Sequence, residues 1–165
     1  MEESKLFAVH FNATGMAVGK LRNEVHLRAR TPFVSENMLA TDEGERQGGE
    51  GTAPTPLEYF LTGLVGCLMT QIRVFSKRMK IPLDDVTVSC DAKWDAVSDP
   101  EAPYRGQPVG FSVDIDITAP EEVPQKHIET LIHASRKGCF VEQTLMQSNH
   151  LTHRCRVNDG SWIAL

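Results

Sequence analysis

Apolar side chains recur every three or four residues between positions 55 and 82, a spacing that predicts one long helix. The repeating apolar positions are Leu57, Leu61, Leu64, Leu68, Ile72, Phe75 and Met79. Between Phe60 and Gln71 the only polar side chains are two threonines, so the predicted helix is apolar nearly all round. A soluble protein buries such a helix, and the apolar run is too short to span a bilayer. We therefore expect the rest of the chain to cover it.

The ends of this helix carry recognisable signals. Thr55 and Glu58 have the Thr-x-x-Glu spacing of a capping box, in which each residue satisfies an unpaired backbone N–H group of the other. Pro56 stands at the first helical position, where its missing N–H group costs nothing. Cations cluster toward the C-terminal end, where the helix dipole favours positive charge, and Pro82 ends the element.

Two glycines and a cysteine occupy the middle of this helix, at Gly63, Gly66 and Cys67. A glycine inside a helix costs about 1 kcal/mol relative to alanine, so we expect another segment to pack very close to the backbone there. A lone buried cysteine usually behaves as a small, inert hydrophobic residue. Beside two glycines on a central helix, Cys67 becomes a candidate reactive thiol.

Five other segments alternate apolar and polar residues and predict strands that are apolar on one face. They are residues 5–14, 18–30, 85–96, 109–117 and 151–157. We expect the first two to form a hairpin across a turn framed by Gly15 and Gly19. Residues 31–53, with a glycine-rich end, are predicted to be a long mobile connection. Residues 98–108, with three prolines, are predicted to be a loop.

A second helix is predicted after Pro124, and the run Arg-Lys-Gly at 136–138 is a usual signal of a helix end. Its apolar stripe is formed by Ile128, Leu131 and Ile132. Cys139 follows at once and opens a short amphipathic segment. Because a helix dipole and neighbouring cations lower the pKa of a thiol, we expect Cys139 to be the most ionisable cysteine. Cys90 and Cys155 occupy inward positions of predicted strands and are expected in the core.

Composition and charge narrow the classes of function. The 165 residues, 41% of them hydrophobic and 24% charged, fit one domain spanning residues 1–165. The net charge of −5 argues against nucleic acid as a partner, since phosphate binding needs a basic surface. The acidic N-terminus is not a signal peptide, and no transmembrane segment is expected. We therefore predict a cytoplasmic protein with no membrane partner.

Two stretches resemble the OsmC/Ohr family, the osmotically inducible and organic hydroperoxide resistance proteins. The central-helix motif of that family is similar to residues 54–68, PTPLEYFLTGLVGCL. Its second-cysteine segment is similar to residues 137–145, KGCFVEQTL. The order of elements also agrees, over residues 8–157. The resemblance implies an α+β fold in which antiparallel sheets wrap a long buried central helix. It also implies an intertwined homodimer with a thiol peroxidase site at the subunit interface.

The resemblance assigns roles to two cysteines. Cys67 matches the peroxidatic cysteine, which a hydroperoxide substrate oxidises to sulfenic acid, and Cys139 matches the resolving cysteine, which traps that acid as a disulfide. An external dithiol reductant then reduces the disulfide by exchange. The implied cycle uses no metal and no organic cofactor, and it leaves Cys90 and Cys155 as free thiols.

The chain departs from the peroxidase members at two positions. Ala17 stands where those members have an arginine, and Leu57 stands where they have the acidic partner of that arginine. Glu58, one position further on, is a candidate catalytic acid, although its capping-box role explains it without catalysis. Arg28 or Arg30, on the second predicted strand, is a candidate replacement for the arginine.

Two other functions remain open at this stage. One is a non-catalytic dimer of the same fold that binds a small apolar ligand in a cleft beside Cys67. The other is a zinc protein, for which the chain has four cysteines and six histidines but no zinc-finger or Cys-x-x-Cys spacing.

Overall fold

Antiparallel strands accompany one long helix in the computed structural model of the protein, which describes residues 5–165. The helices are α1 (Pro56–Met79), α2 (Gln125–Gly138) and α3 (Phe140–Met146), with a short 3-10 turn at Glu45–Gln47. The strands are β1 (His10–Ala17), β2 (Asn23–Thr31), β3 (Ser35–Thr41), β4 (Asp85–Val97), β5 (Arg105–Thr118), β6 (Arg154–Cys155) and β7 (Ile163–Ala164). This is an α+β fold with antiparallel sheets and a long helix, as predicted.

The chain forms two compact units, and their boundary falls inside α1. The first unit runs to Thr62, and the second runs from Gly63 to Leu165. The extent of a single domain over residues 1–165 stays a prediction.

The first unit contains a three-stranded antiparallel sheet in the order β1-β2-β3. The predicted hairpin is present, but β1 continues through Gly15 to Ala17, so the turn lies at residues 18–22. β3 lies inside the segment predicted to be a long connection, and it pairs residue by residue with β2. The prediction of a connection over residues 31–53 was therefore wrong for residues 35–41. β3 has few β-branched residues, and its strand conformation comes from backbone pairing with β2.

The glycine-rich segment after β3 is anchored by the buried carboxylate of Asp42. One carboxylate oxygen accepts from the backbone N–H of Glu43 at 2.8 Å, and the other accepts from the N–H and hydroxyl of Thr52 at 3.0 and 2.8 Å. These hydrogen bonds, led by those from Thr52, lower the pKa of Asp42. Arg22 also donates to the Thr52 carbonyl at 3.2 Å. A side chain at Gly49 would collide with the Glu43 carbonyl, so the closed loop requires glycine there.

The second unit contains the antiparallel pair β4-β5. Alternate residues of β4, from Val86 to Trp94, are buried or half-buried, as predicted. β5 begins at Arg105, inside the predicted loop, because Pro108 is accommodated opposite Trp94, where the register shifts. Proline is tolerated in sheets at bulges and edges, where no ladder N–H group is lost.

The core of the second unit forms around one face of α1. It consists of Leu68, Ile72, Ile81, Val88, Leu131 and Cys139. Only four residues of α1 are buried within the described chain, so the all-round burial predicted for this helix is not present in a single copy. By length and composition alone α1 could span a membrane, a test that the core helix of a soluble protein also passes. By length and composition, therefore, the prediction that the apolar run of this helix is too short to span a bilayer was wrong.

The C-terminal segment forms only a two-residue pair between β6 and β7. The predicted strand over residues 151–157 is therefore mostly irregular, and Cys155 is exposed rather than buried. The prediction of a core position for Cys155 was wrong, because this ribbon is left exposed: Cys155 and Ile163, the residue paired with it, both face solvent. The guanidinium groups of Arg154 and Arg156 lie 5.0 and 5.1 Å from the ring centre of Trp162.

Candidate active site

Cys67 and Cys139 lie against each other in the second unit, although they are 72 positions apart in the chain. The thiol of Cys67 is close enough to Cys139 to raise its pKa, and Cys67 packs against the core cluster that contains Cys139. Cys67 is on α1 and is half-buried. Cys139 is fully buried between α2 and α3, and its sulfur accepts from the backbone N–H of Glu142 at 3.4 Å.

Gly138 lets the end of α2 approach α1 closely. A Cβ atom there would lie 2.7 Å from Cζ of Phe75 and 3.4 Å from Oε1 of Gln71. Cys67, Gln71 and Phe75 are spaced four residues apart, so they occupy one face of α1. The missing side chain of Gly138 therefore brings the next residue, Cys139, to the α1 face that carries Cys67.

Burial raises the pKa of the Cys139 thiol to about 11. The N–H of Glu142 opposes this shift, and the neighbouring Cys67 adds to it. The predicted low pKa of Cys139 was therefore wrong. Arg136 directs its Nε group to the Glu142 carboxylate at 2.8 Å, and Lys137 is exposed. Desolvation thus outweighs the dipole and cations at this helix start.

Glu142 is a polar residue of the site that the sequence analysis missed. Its side chain is only 14% exposed, and Oε1 accepts from Arg136. Its Oε2 is buried and has no hydrogen-bond partner among the described residues. The spacing Cys-x-x-Glu, with Cys139 as N-cap and Glu142 in the first turn, is the signal that could have identified it.

Glu58 forms the predicted capping box with Thr55. The Glu58 carboxylate accepts from the backbone N–H and the hydroxyl of Thr55 at 2.6 and 2.7 Å. The Thr55 hydroxyl accepts in return from the backbone N–H of Glu58 at 3.3 Å. These bonds, the backbone one first, lower the pKa of Glu58. Its carboxylate is engaged in this cap within the first unit, whereas both cysteines belong to the second unit.

We expect Thr55→Ala to lower the free energy of unfolding by roughly 0.5–2 kcal/mol, because the helix loses its cap. Glu58→Gln should leave the oxidation rate of Cys67 unchanged, since the amide oxygen can still accept from Thr55. Urea denaturation and stopped-flow oxidation by hydroperoxide measure the two properties. Slower Cys67 oxidation in Glu58→Gln, with unfolding unchanged, would instead give Glu58 a catalytic role.

The two arginines proposed as replacements lie in the first unit. Nε of Arg28 lies 3.1 Å from Oε1 of Glu36, an ion pair without hydrogen-bond alignment. Nε2 of His26 lies 3.2 Å from the other oxygen of the same carboxylate. Arg30 is exposed. Glu36 thus provides a local counter-charge for Arg28.

A cleft of about 350 Å³ in the second unit is lined by residues 69–77 of α1 and residues 83–86. Neither cysteine lines this cleft. Within residues 5–165, no three His, Cys, Asp or Glu side chains come together as a metal-binding group. The proximity of Cys67 and Cys139 is therefore the chemical feature from which we infer a function.

Fold and site together define an α+β protein in which a long helix presents one cysteine to a second cysteine at the junction of two shorter helices. The family model described as OsmC-like protein matches residues 49–154, a range that contains both cysteines. The chain therefore belongs to the OsmC-like protein family.

Solved structures agree with this membership. The chain is 42% identical to an OsmC-like hydroperoxide resistance protein from Jannaschia sp. CCS1, over 95% of this chain and 98% of that one, with a TM-score of 0.63. An organic hydroperoxide resistance protein from Legionella pneumophila is 22% identical, with coverage of 86% and 91% and a TM-score of 0.53. A structure from Psychrobacter arcticus 273-4 is 21% identical, with coverage of 87% and 90% and the same TM-score, 0.53. The last two show the fold alone. No curated protein matches the chain.

Proposed function

We propose that the protein is a thiol peroxidase that reduces organic hydroperoxides through Cys67 and Cys139. The observation that carries this proposal is the proximity of the two thiols: Cys67 packs against the core cluster that contains Cys139, and it raises the pKa of Cys139. It is supported by the 42% identity to a structure described as a hydroperoxide resistance protein. This proximity is the arrangement that a peroxidatic and a resolving thiol require, since the second must reach the first before a further peroxide does.

The cycle balances with these two thiols and an external dithiol. Sulfur of Cys67 attacks the peroxide O–O bond, which yields an alcohol and a Cys67 sulfenic acid. Sulfur of Cys139 then displaces the hydroxyl as water and forms the Cys67–Cys139 disulfide. A dithiol reductant regenerates both thiols by exchange. We place this cycle in the cytoplasm, where such reductants keep cysteines reduced, and it needs no metal or organic cofactor.

The exposure of the two cysteines supports an order in which they react. Cys67 is half-buried and retains a solvent-facing side, whereas Cys139 is 0% exposed. A hydroperoxide can therefore reach Cys67 first, and Cys139 is shielded until it reacts with its neighbour. This supports Cys67 as the peroxidatic thiol.

Addition of cumene hydroperoxide tests the proposal. We expect each equivalent to remove two of the four thiols, and excess dithiothreitol to sustain turnover. If the thiols are not consumed, the peroxidase proposal fails and a non-catalytic binding protein becomes the better interpretation.

We also propose that two copies of the chain associate through the uncovered face of α1. Apart from the adjacent residues and the nearby backbone of α1 itself, no atom of the described residues lies within 4 Å of a Cβ atom placed at Gly63 or Gly66. Leu57, on the same helix, is 50% exposed, and Phe11 and Met38 of the first sheet are similarly exposed. An apolar helix with glycines facing open space fits close packing by a second copy.

Gly63→Ala distinguishes a covered helix face from a free one. On a free face, alanine should stabilise the helix by about 1 kcal/mol. We expect the opposite, weaker dimerisation, because the added methyl group would intrude between closely packed backbones. Light scattering and unfolding at two protein concentrations measure this effect. Thr62→Ala, which adds no atoms, is the control, and a stable wild-type monomer at micromolar concentration would contradict the proposal.

A further inference from the structure

The buried carboxylate oxygen of Glu142 has no explained role in the cycle described above. Oε2 is excluded from solvent and has no hydrogen-bond partner among residues 5–165. A buried polar atom without a partner is unfavourable and uncommon in native structures. Ser135, on α2, carries the other such atom in the second unit, and it provides a comparison below.

The local hydrogen bonds hold Glu142 beside Cys139. The backbone N–H of Glu142 donates to the Cys139 sulfur at 3.4 Å, and Nε of Arg136 holds Oε1 at 2.8 Å. The Arg136 carbonyl accepts from the N–H of Cys139 at 3.3 Å and from Nε2 of Gln143 at 3.1 Å. The end of α2 and the start of α3 therefore form one connected turn around the thiol.

The second step of the cycle requires that Cys139 lose a proton. With its pKa raised to about 11, Cys139 is almost entirely in the neutral thiol form at pH 7. Three elements meet at this thiol, and each brings a titratable or charged side chain: Cys67 from α1, Arg136 from α2 and Glu142 from α3. Of these, a carboxylate is the group suited to accept a proton.

We propose that Glu142 accepts the Cys139 proton as that sulfur attacks Cys67, and that Arg136 positions the Glu142 carboxylate for this transfer. The proposal rests on the proposed function and assigns the base in its resolving step. Sulfur of Cys139 bonds to sulfur of Cys67, the S–O bond of the sulfenic acid breaks, and the departing hydroxyl takes up a proton to leave as water. The proton on Glu142 is then released, so the carboxylate is restored.

A single-turnover measurement isolates this step without a peroxide. In a background with Cys90→Ser and Cys155→Ser, an aryl disulfide that releases thionitrobenzoate first forms a mixed disulfide with Cys67. Attack by Cys139 then releases a second thionitrobenzoate, and its rate reports the resolving step. We expect Glu142→Gln to slow this second release by roughly 10²- to 10⁴-fold, the usual contribution of a general base.

The pH profile separates a proton acceptor from a structural residue. In Glu142→Gln the rate should rise tenfold per pH unit below the thiol pKa, because only the thiolate reacts. In the unsubstituted background the rate should change much less with pH, since the carboxylate assists the neutral thiol. Glu142→Asp should restore part of the rate, and Arg136→Gln should lower it less than Glu142→Gln does.

Ser135→Ala is the matched control, because it also removes a buried polar atom without a partner. It should leave the second release unchanged. The proposal is overturned if Glu142→Gln releases the second thionitrobenzoate at the control rate with the control pH profile. If Glu142→Gln does not fold, two measurements decide in the same way: the pH profile of the unsubstituted background and the release rate of Glu142→Asp. If the second thionitrobenzoate release depends on Glu142 but the protein does not react with hydroperoxides, the peroxidase function is rejected and the role of Glu142 as proton acceptor stands.

Discussion

Cys67→Ser is expected to abolish hydroperoxide consumption completely. A serine hydroxyl is not ionised near neutral pH and cannot form the sulfenic acid on which the cycle depends. Consumption of cumene hydroperoxide in the presence of dithiothreitol measures this loss. Cys155→Ser is the control, since Cys155 is exposed but lies outside the cysteine pair, and it should retain wild-type activity.

Cys139→Ser should give a different failure. Cys67 should still react once, but without a resolving thiol its sulfenic acid should proceed to sulfinic acid when peroxide is in excess. Intact-protein mass spectrometry should then show two added oxygen atoms on Cys67. Normal oxidation of Cys139 in the Cys67→Ser protein, with an unreactive Cys67 in the Cys139→Ser protein, would show that the roles are reversed.

Gly138→Ala should destabilise the protein and slow disulfide formation. An alanine methyl group would lie 2.7 Å from Cζ of Phe75, closer than two non-bonded carbon atoms approach each other in folded proteins. The gain in helix propensity is at most about 1 kcal/mol, whereas overpacking of a core contact costs about 1–3 kcal/mol. We therefore expect a net loss of up to about 3 kcal/mol, measured by urea denaturation, and slower thionitrobenzoate release by Cys139.

A compensating substitution checks the cause of that loss. Phe75→Leu removes the ring atoms that collide with the new methyl group, so the double variant should be less unstable than the sum of the two single variants. Double-mutant cycles detect such coupling between residues in contact. Strict additivity, or a Gly138→Ala protein as stable as the wild type, would contradict close packing between α2 and α1 at this position.

The sequence predicted elements whose signals are local. The capping box of Thr55 and Glu58 satisfies N–H groups within one turn, so its spacing alone identified it. Gly138 ends α2 where the basic residues and the glycine predicted an end. The alternation in β4 was visible because only one face of that strand packs against the core.

Elements that depend on distant partners were not predictable in this way. β3 forms because its backbone pairs with β2, and its side chains have no clear strand pattern. Asp42 is buried because it closes a loop with Thr52, ten residues further along the chain. No local pattern of residues indicates either contact.

The candidate site shows the same division. The contact between Cys67 and Cys139 spans 72 positions, and only the family resemblance suggested it. The pKa of Cys139 was predicted in the wrong direction. The prediction considered the cations next to Cys139 in the sequence but not the burial of the thiol. Arg136 looked available to the thiol but is bound to Glu142. The pKa of a thiol depends on three-dimensional packing, which adjacent residues do not reveal.

Peptide mass mapping after one equivalent of cumene hydroperoxide tests the cysteine pair most directly. We expect one disulfide, between Cys67 and Cys139, with Cys90 and Cys155 recovered as free thiols. Absence of that disulfide, or a disulfide that involves Cys90 or Cys155 instead, would contradict the proposed peroxidase site.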